Sequence, residues 1–146
     1  MLFDSSNPVV ALCSAGMQVD GEPAQARALF EQAWAARTDN FDASIAAHFL
    51  ARHQPTPADT LHWNEIALWH ADALADDRVH ALLPSLCLNL ADSYLAVGRH
   101  NEAQVIADRA SATVDALPDD GYAEFVRGGI MRLHQRLRTA GAATAC

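Results

Sequence analysis

Apolar residues recur along this chain at spacings of three and four, the mark of helices with one buried face, and no run of β-branched residues alternates over a useful length. The punctuation is regular. Gly21 and Pro23 interrupt the first apolar stretch, Pro55 and Pro57 the second, Asp76, Asp77 and Pro84 a third, Gly98 a fourth, and Pro118 to Gly121 read as a turn. The segments between these breaks predict seven helices near residues 8–19, 23–37, 40–53, 57–74, 78–97, 100–117 and 122–138. The sixth carries its small and apolar residues at Ala103, Ile106, Ala107, Ala110, Val114 and Leu117, a single stripe. The fifth carries Leu82, Leu86, Leu90, Tyr94 and Val97 on one side, with Pro84 either kinking it or opening a shorter helix. Beyond Thr139 the tail of small residues is expected to fray.

The helices alternate in a way that calls for a repeat test. Ala26, Phe30 and Ala33 place a small residue, an aromatic four later and a small residue three after that. Ala103, Ala107 and Ala110 hold the same layout, and Thr60, Asn64 and Ala67 hold the matching places between them. From Ala33 to Ala67 is 34 residues, and from Ala67 to Ala110 is 43, so nine extra residues fall between Trp69 and Leu83. The preceding helices fit as well: Cys87, Leu90, Ala91 and Tyr94 in one, and Val10, Cys13, Ser14 and Met17 in another. With these residues the chain resembles the tetratricopeptide repeat, a 34-residue helix-turn-helix, over about residues 7–118. The resemblance implies an all-α, right-handed α-α superhelix of about seven helices in a single domain. Its units are 7–38, 41–74 and 78–117, with 122–138 as a closing helix. The segment from Ala47 to Leu74, with Pro84 to Leu90, is also similar to small bacterial repeat proteins of unassigned role, and that likeness implies no activity. The second unit departs from the pattern: His48 stands where a small residue belongs and Asn64 where an aromatic belongs. Two polar groups at facing core positions predict a hydrogen bond between them or a shared water.

In the repeat family the first helix of each pair lines an inner face. The resemblance therefore puts Asp42, Ile45, Phe49 and Arg52 on that face from the second unit, and Ser85, Leu88, Asp92 and Leu95 from the third, with Tyr122 and Val126 closing the end. Such a groove suits a peptide. Phe49 and Leu88 would bury an apolar side chain, Arg52 would hold an acidic group and Asp92 a basic one. Some relatives grip a C-terminal carboxylate with Lys, Arg and Asn. Here Ala11 and Ala15 replace the polar groups that the first unit would need, and no lysine exists.

Composition narrows the chemistry further. The 146 residues are 51% hydrophobic and 19% charged, enough to bury a core. All ten basic residues other than histidine are arginine, so neither a Schiff-base lysine nor a phosphate-loop lysine is available. The formal net charge of −8 repels nucleic acid on average. One local exception is the C-terminal stretch of Arg127, Arg132, His134, Arg136 and Arg138 against Glu124, read as a solvated basic face at a helix C-terminus. Neither a nucleic acid nor a membrane partner is expected. The three cysteines, Cys13, Cys87 and Cys146, form no CxxC. Two lie in apolar helical patterns and the last reads as an exposed thiol, a usage that suits a reducing cytoplasm. No basic flank precedes the apolar run Pro8 to Met17, so a signal peptide is not expected.

No catalytic motif emerges. There is no Gly-x-Ser-x-Gly elbow, no zinc-protease histidine spacing and no glycine-rich phosphate loop, and the acidic pairs Asp76-Asp77 and Asp119-Asp120 sit at connections. Trp34 and Trp63 are expected in the core, and Trp69, beside the extra residues, is the candidate for a self-association face that would make a homodimer. The expectation is a non-catalytic, cytoplasmic scaffold without a cofactor that binds another protein or peptide. The alternative is a homo-oligomeric protein that binds a small molecule or metal at a polar site of His48, Arg52, His53 and Asn64.

Overall fold

The computed structural model describes residues 4–144, which form seven α-helices and no strand. They are α1 (Pro8–Gln18), α2 (Pro23–Ala35), α3 (Asn40–Leu50), α4 (Pro57–Asp72), α5 (Arg78–Ala96), α6 (His100–Val114) and α7 (Gly121–Thr144), with a 3₁₀ turn, Ala51–His53, after α3. None is long and apolar enough to cross a membrane. Cys146, expected as an exposed thiol, lies outside the described residues.

The starts of the helices follow from their first residues. Pro8, Pro23 and Pro57 open α1, α2 and α4, where a missing N–H costs nothing. Asn7, Asp39, Thr56 and Asp120 cap α1, α3, α4 and α7: their side-chain oxygens accept from the backbone N–H groups of Val9, Asp42, Asp59 and Ala123 at 2.8–3.1 Å. Gly98 ends α5 with φ at +79°, a left-handed conformation that favours glycine. Its N–H donates to the Leu95 carbonyl and that of Arg99 to Tyr94, so two open carbonyls of the last turn are satisfied. Pro84 lies buried inside α5, which therefore runs unbroken from Arg78. The helix α7 does not fray at Thr139 but continues to Thr144. Alanine in the tail favours helix strongly enough to offset Gly141. The arginines of α7 consequently lie in its middle, and its last turn holds no basic residue, contrary to the expected helix-dipole arrangement.

The chain gathers into two compact units, Met1–Asp76 and Asp77–Cys146. The boundary falls inside the nine extra residues of the repeat arithmetic. Within the first unit α1 packs on α2, α3 on α4, and α3 on both α1 and α2. Within the second, α5 packs on α6, and α7 on both. Each unit thus begins with a helix pair whose two members both receive the next helix.

The small residues picked out by spacing lie at these seams. Ala26, Phe30 and Ala33 are fully buried, as are Ala103, Ala107 and Ala110. Gly16 lets α1 meet Phe30 so closely that an added Cβ would stand 2.3 Å from the ring. In α1 the buried set is Val9, Val10, Cys13 and Gly16, while Ser14 and Met17 face outward, so the expected register of that helix holds only for Val10 and Cys13. Ser44, fully buried, donates to the Ala67 carbonyl at 3.0 Å and ties α3 to α4. In the second unit Ala91, Ala103, Ala107, Leu133 and Leu137 make one core cluster.

Candidate functional site

The residues expected on an inner face divide between the units. Asp42 and Ile45 are buried and build structure. The Asp42 carboxylate accepts from Asn7 Nδ2 at 2.8 Å and from the N–H and hydroxyl of Thr38, which fastens the start of α1 to α3. Phe49 is half-buried and stacks on Phe30 with ring centroids 5.5 Å apart. Arg52 is not open to an incoming acid, because Asp20 already holds it: its Nε and Nη2 donate to the two carboxylate oxygens at 3.2 and 2.7 Å. His53 Nε2 sits 2.7 Å from the same carboxylate. These contacts to Arg52 and His53 hold the Asp20 carboxyl down to about 2. The polar set read from sequence therefore contains an unforeseen member, an acid 32 residues from its arginine.

His48 and Asn64 lie on α3 and α4 of the first unit. Asn64 is only 4% exposed, and no buried side-chain nitrogen or oxygen among the described residues lacks a hydrogen-bond partner. Burial first, and the nearby Arg52 cation second, push the His48 imidazole down to about 4, so it is neutral at ordinary pH. Its ring meets Phe49 edge-on at 5.1 Å. Among the described residues no three His, Cys, Asp or Glu converge as metal ligands would.

The second unit brings its expected residues together. Ser85, Leu88, Asp92 and Leu95 lie along one side of α5, three or four residues apart, and α7 runs beside them. The Ser85 and Tyr122 hydroxyls hydrogen-bond each other at one end. Beyond them an open groove of about 950 Å³ lies between α5 and α7. Its α5 wall is Leu88, Asn89, Asp92 and Leu95, and its α7 wall includes Phe125, Gly129, Arg132 and Arg136. Gly129 makes the close approach possible, since a Cβ there would stand 2.7 Å from a Leu88 methyl. Phe125 is 71% exposed at the groove rim, a large aromatic held in water. Val126, expected to close the end, is instead part of the core.

The basic stretch of α7 is not one solvated face. Arg136 pairs with Asp92 at 2.6 Å inside the groove, Arg127 with Asp119 at 3.4 Å, and His134 lies 2.9 Å from the Ser111 hydroxyl. Arg132 lines the groove with no ion-pair or hydrogen-bond partner among the described residues. The equivalent hollow of the first unit, between α1 and α3, is filled: about 60 Å³ remain among Val10, Cys13, Ser14, Ile45 and Phe49. Scans against protein-family models, curated proteins and solved structures each found no match to this chain.

Sequence reasoning missed Phe125, Gly129, Arg132 and Arg136 as groove residues. Their spacing of four, three and four is a helix-face signal that could have found them. Trp34 and Trp63 are half-buried rather than core, an edge-on pair 5.1 Å apart with the Arg37 guanidinium 3.8 Å above Trp34. Trp69 is 68% exposed.

Proposed function

We propose that this chain is a non-catalytic interaction module of tetratricopeptide type that binds a segment of another protein in the α5–α7 groove. The observation that carries this reading is the groove itself: about 950 Å³ of open space floored by Leu88 and Gly129, edged by an exposed phenylalanine and furnished with a few polar groups. That combination, apolar walls with sparse fixings, is what ligand sites share. The contrast with the first unit supports it, because there the corresponding space is closed by Phe49 and Ile45. The packing order within each unit supports the repeat type, since each receives its third helix on both members of a pair. Arg52, already held by Asp20, is replaced in the proposed role of polar anchor by residues of α7.

A photoreactive phenylalanine analogue tests the placement. Introduced at Phe125 in the source cells, it is expected to crosslink to a second polypeptide that the same analogue at Trp69 does not capture. Crosslinks from position 69 but none from 125 would move the site to the first unit and end this reading.

A further inference from the structure

Among the described residues, one cation of the groove lining has nothing to hold. Asp92 neutralises Arg136 at 2.6 Å, and Arg132, one helical turn away on the same wall, faces the groove without a partner among the described residues. The groove as a whole therefore carries one uncompensated positive charge in a chain whose net charge is −8. An acidic segment would be repelled by the average surface and attracted here. A second copy of α7 would bring arginine against arginine, which charge disfavours.

The dimensions restrict the segment. The lining on α7 runs from Phe125 to Ala140, about 22 Å at the helical rise. An extended segment of about seven residues fits the length. Arg132 lies mid-way along the wall, with Phe125 to one side and Thr139 and Ala140 to the other. A chain lying on it would therefore pass through rather than stop there. Phe125 and Arg132 are separated by about 10 Å along the helix, which is about three residues of an extended chain in polyproline II form, where every third side chain returns to the same face.

Building on the groove reading above, we infer that the occupant is an extended segment that presents an internal side-chain carboxylate to Arg132 and an apolar side chain, three residues away, to Phe125 and Leu88. The guanidinium is the specificity-determining group, and the ion pair beside it keeps Asp92 from repelling the incoming acid.

The test is titration of the isotope-labelled full chain with a capped, C-terminally amidated heptapeptide, followed through the Gly129 amide resonance. The peptide has leucine second, glutamate fifth, and serine or threonine elsewhere. Versions with glutamine or lysine at the fifth place, and a glutamine version with a free C-terminal carboxylate, serve as comparisons. The glutamate peptide is expected to bind about fivefold more tightly than the amidated glutamine one, the gain of one exposed ion pair. The advantage should shrink in high salt. Arg132→Glu, at an exposed position, is expected to keep the helical signal and to reverse the preference toward lysine. Equal binding of the glutamate and glutamine peptides, or a ranking that Arg132→Glu leaves unchanged, overturns the inference while the groove reading stands. Tightest binding by the free-carboxylate version overturns internal recognition in favour of a chain end. No movement of Gly129 with any peptide removes the groove reading itself.

Discussion

Gly16→Ala is the most exacting check on the first unit, because it asks one methyl group to enter a filled space. The new Cβ would lie 2.3, 2.8 and 2.9 Å from three atoms of the Phe30 ring. That ring is fully buried, stacked on Phe49 at 5.5 Å and parallel to His53 at 6.4 Å, so it has nowhere to retreat. Overpacking of this kind costs about 3 kcal/mol, at the upper end of the usual range. Alanine regains about 1 kcal/mol as the better helix former. The net expectation is a loss of about 2 kcal/mol, close to a 2 M fall in urea midpoint for a small unit with a slope near 1 kcal/mol/M. The assay is direct: Trp34, Trp63 and Trp69 all lie in the first unit, so tryptophan fluorescence follows that unit alone while far-UV circular dichroism follows both. Adding Phe30→Leu should make the combined loss smaller than the sum of the two single losses. A fluorescence midpoint that is unchanged or raised in Gly16→Ala would refute the packing argument. Gly141→Ala, in open space on α7, serves as the counterpart and is expected to stabilise slightly.

Three further outcomes follow from the geometry. His48 is held neutral to about pH 4 in the fold, against 6.5 when free, so protons bind the unfolded chain first as pH falls. First-unit stability should therefore be complete above about 6.5 and decline down to about 4, and His48→Gln should flatten that slope in urea melts by fluorescence. Asp20, held down to about 2 against 3.8, contributes stability that is present above 3.8 and lost as pH falls through about 2. Asp20→Asn should remove this acid-limb loss, and an acid titration of the fluorescence midpoint decides it. Phe125→Ala is expected to leave the thermal midpoint within what about 0.5 kcal/mol would shift, since the side chain is 71% exposed, while weakening the binding of the glutamate heptapeptide followed at the Gly129 amide.

Local signals explain how much was legible beforehand. Pro8, Pro23 and Pro57 mark helix starts by removing an N–H that a first turn does not need, and Gly98 marks an end by accepting a positive φ. The triplets Ala26, Phe30, Ala33 and Ala103, Ala107, Ala110 announce close helix contacts because a small residue recurs at the first and last place of each. What escaped depended on distance. Asp20 reads as an ordinary turn acid, and only the fold carries it to Arg52 and His53. Arg132 and Arg136 look alike in the chain; α5 alone distinguishes them, by offering Asp92 to one and none to the other. The length of α7 was underestimated because glycine and threonine in its tail resemble loop, whereas the alanines around them sustain helix.

The alanine seam of the second unit sets a rule for how this chain can change over time. Ala91 on α5 and Ala103, Ala107 and Ala110 on α6 are entirely shielded, and no larger side chain fits between the two backbones without prising them apart. Any larger residue there would also move the wall that carries Leu88 and Asp92. Drift in this region is confined to exchanges among glycine, alanine and serine, while the outward positions of α6, Val105 among them, are free to take almost any residue. A deep mutational scan scored for folding alone would therefore draw the seam as a narrow intolerant line, and the exposed groove positions beside it, Phe125 and Arg132, as permissive ground until binding is selected as well.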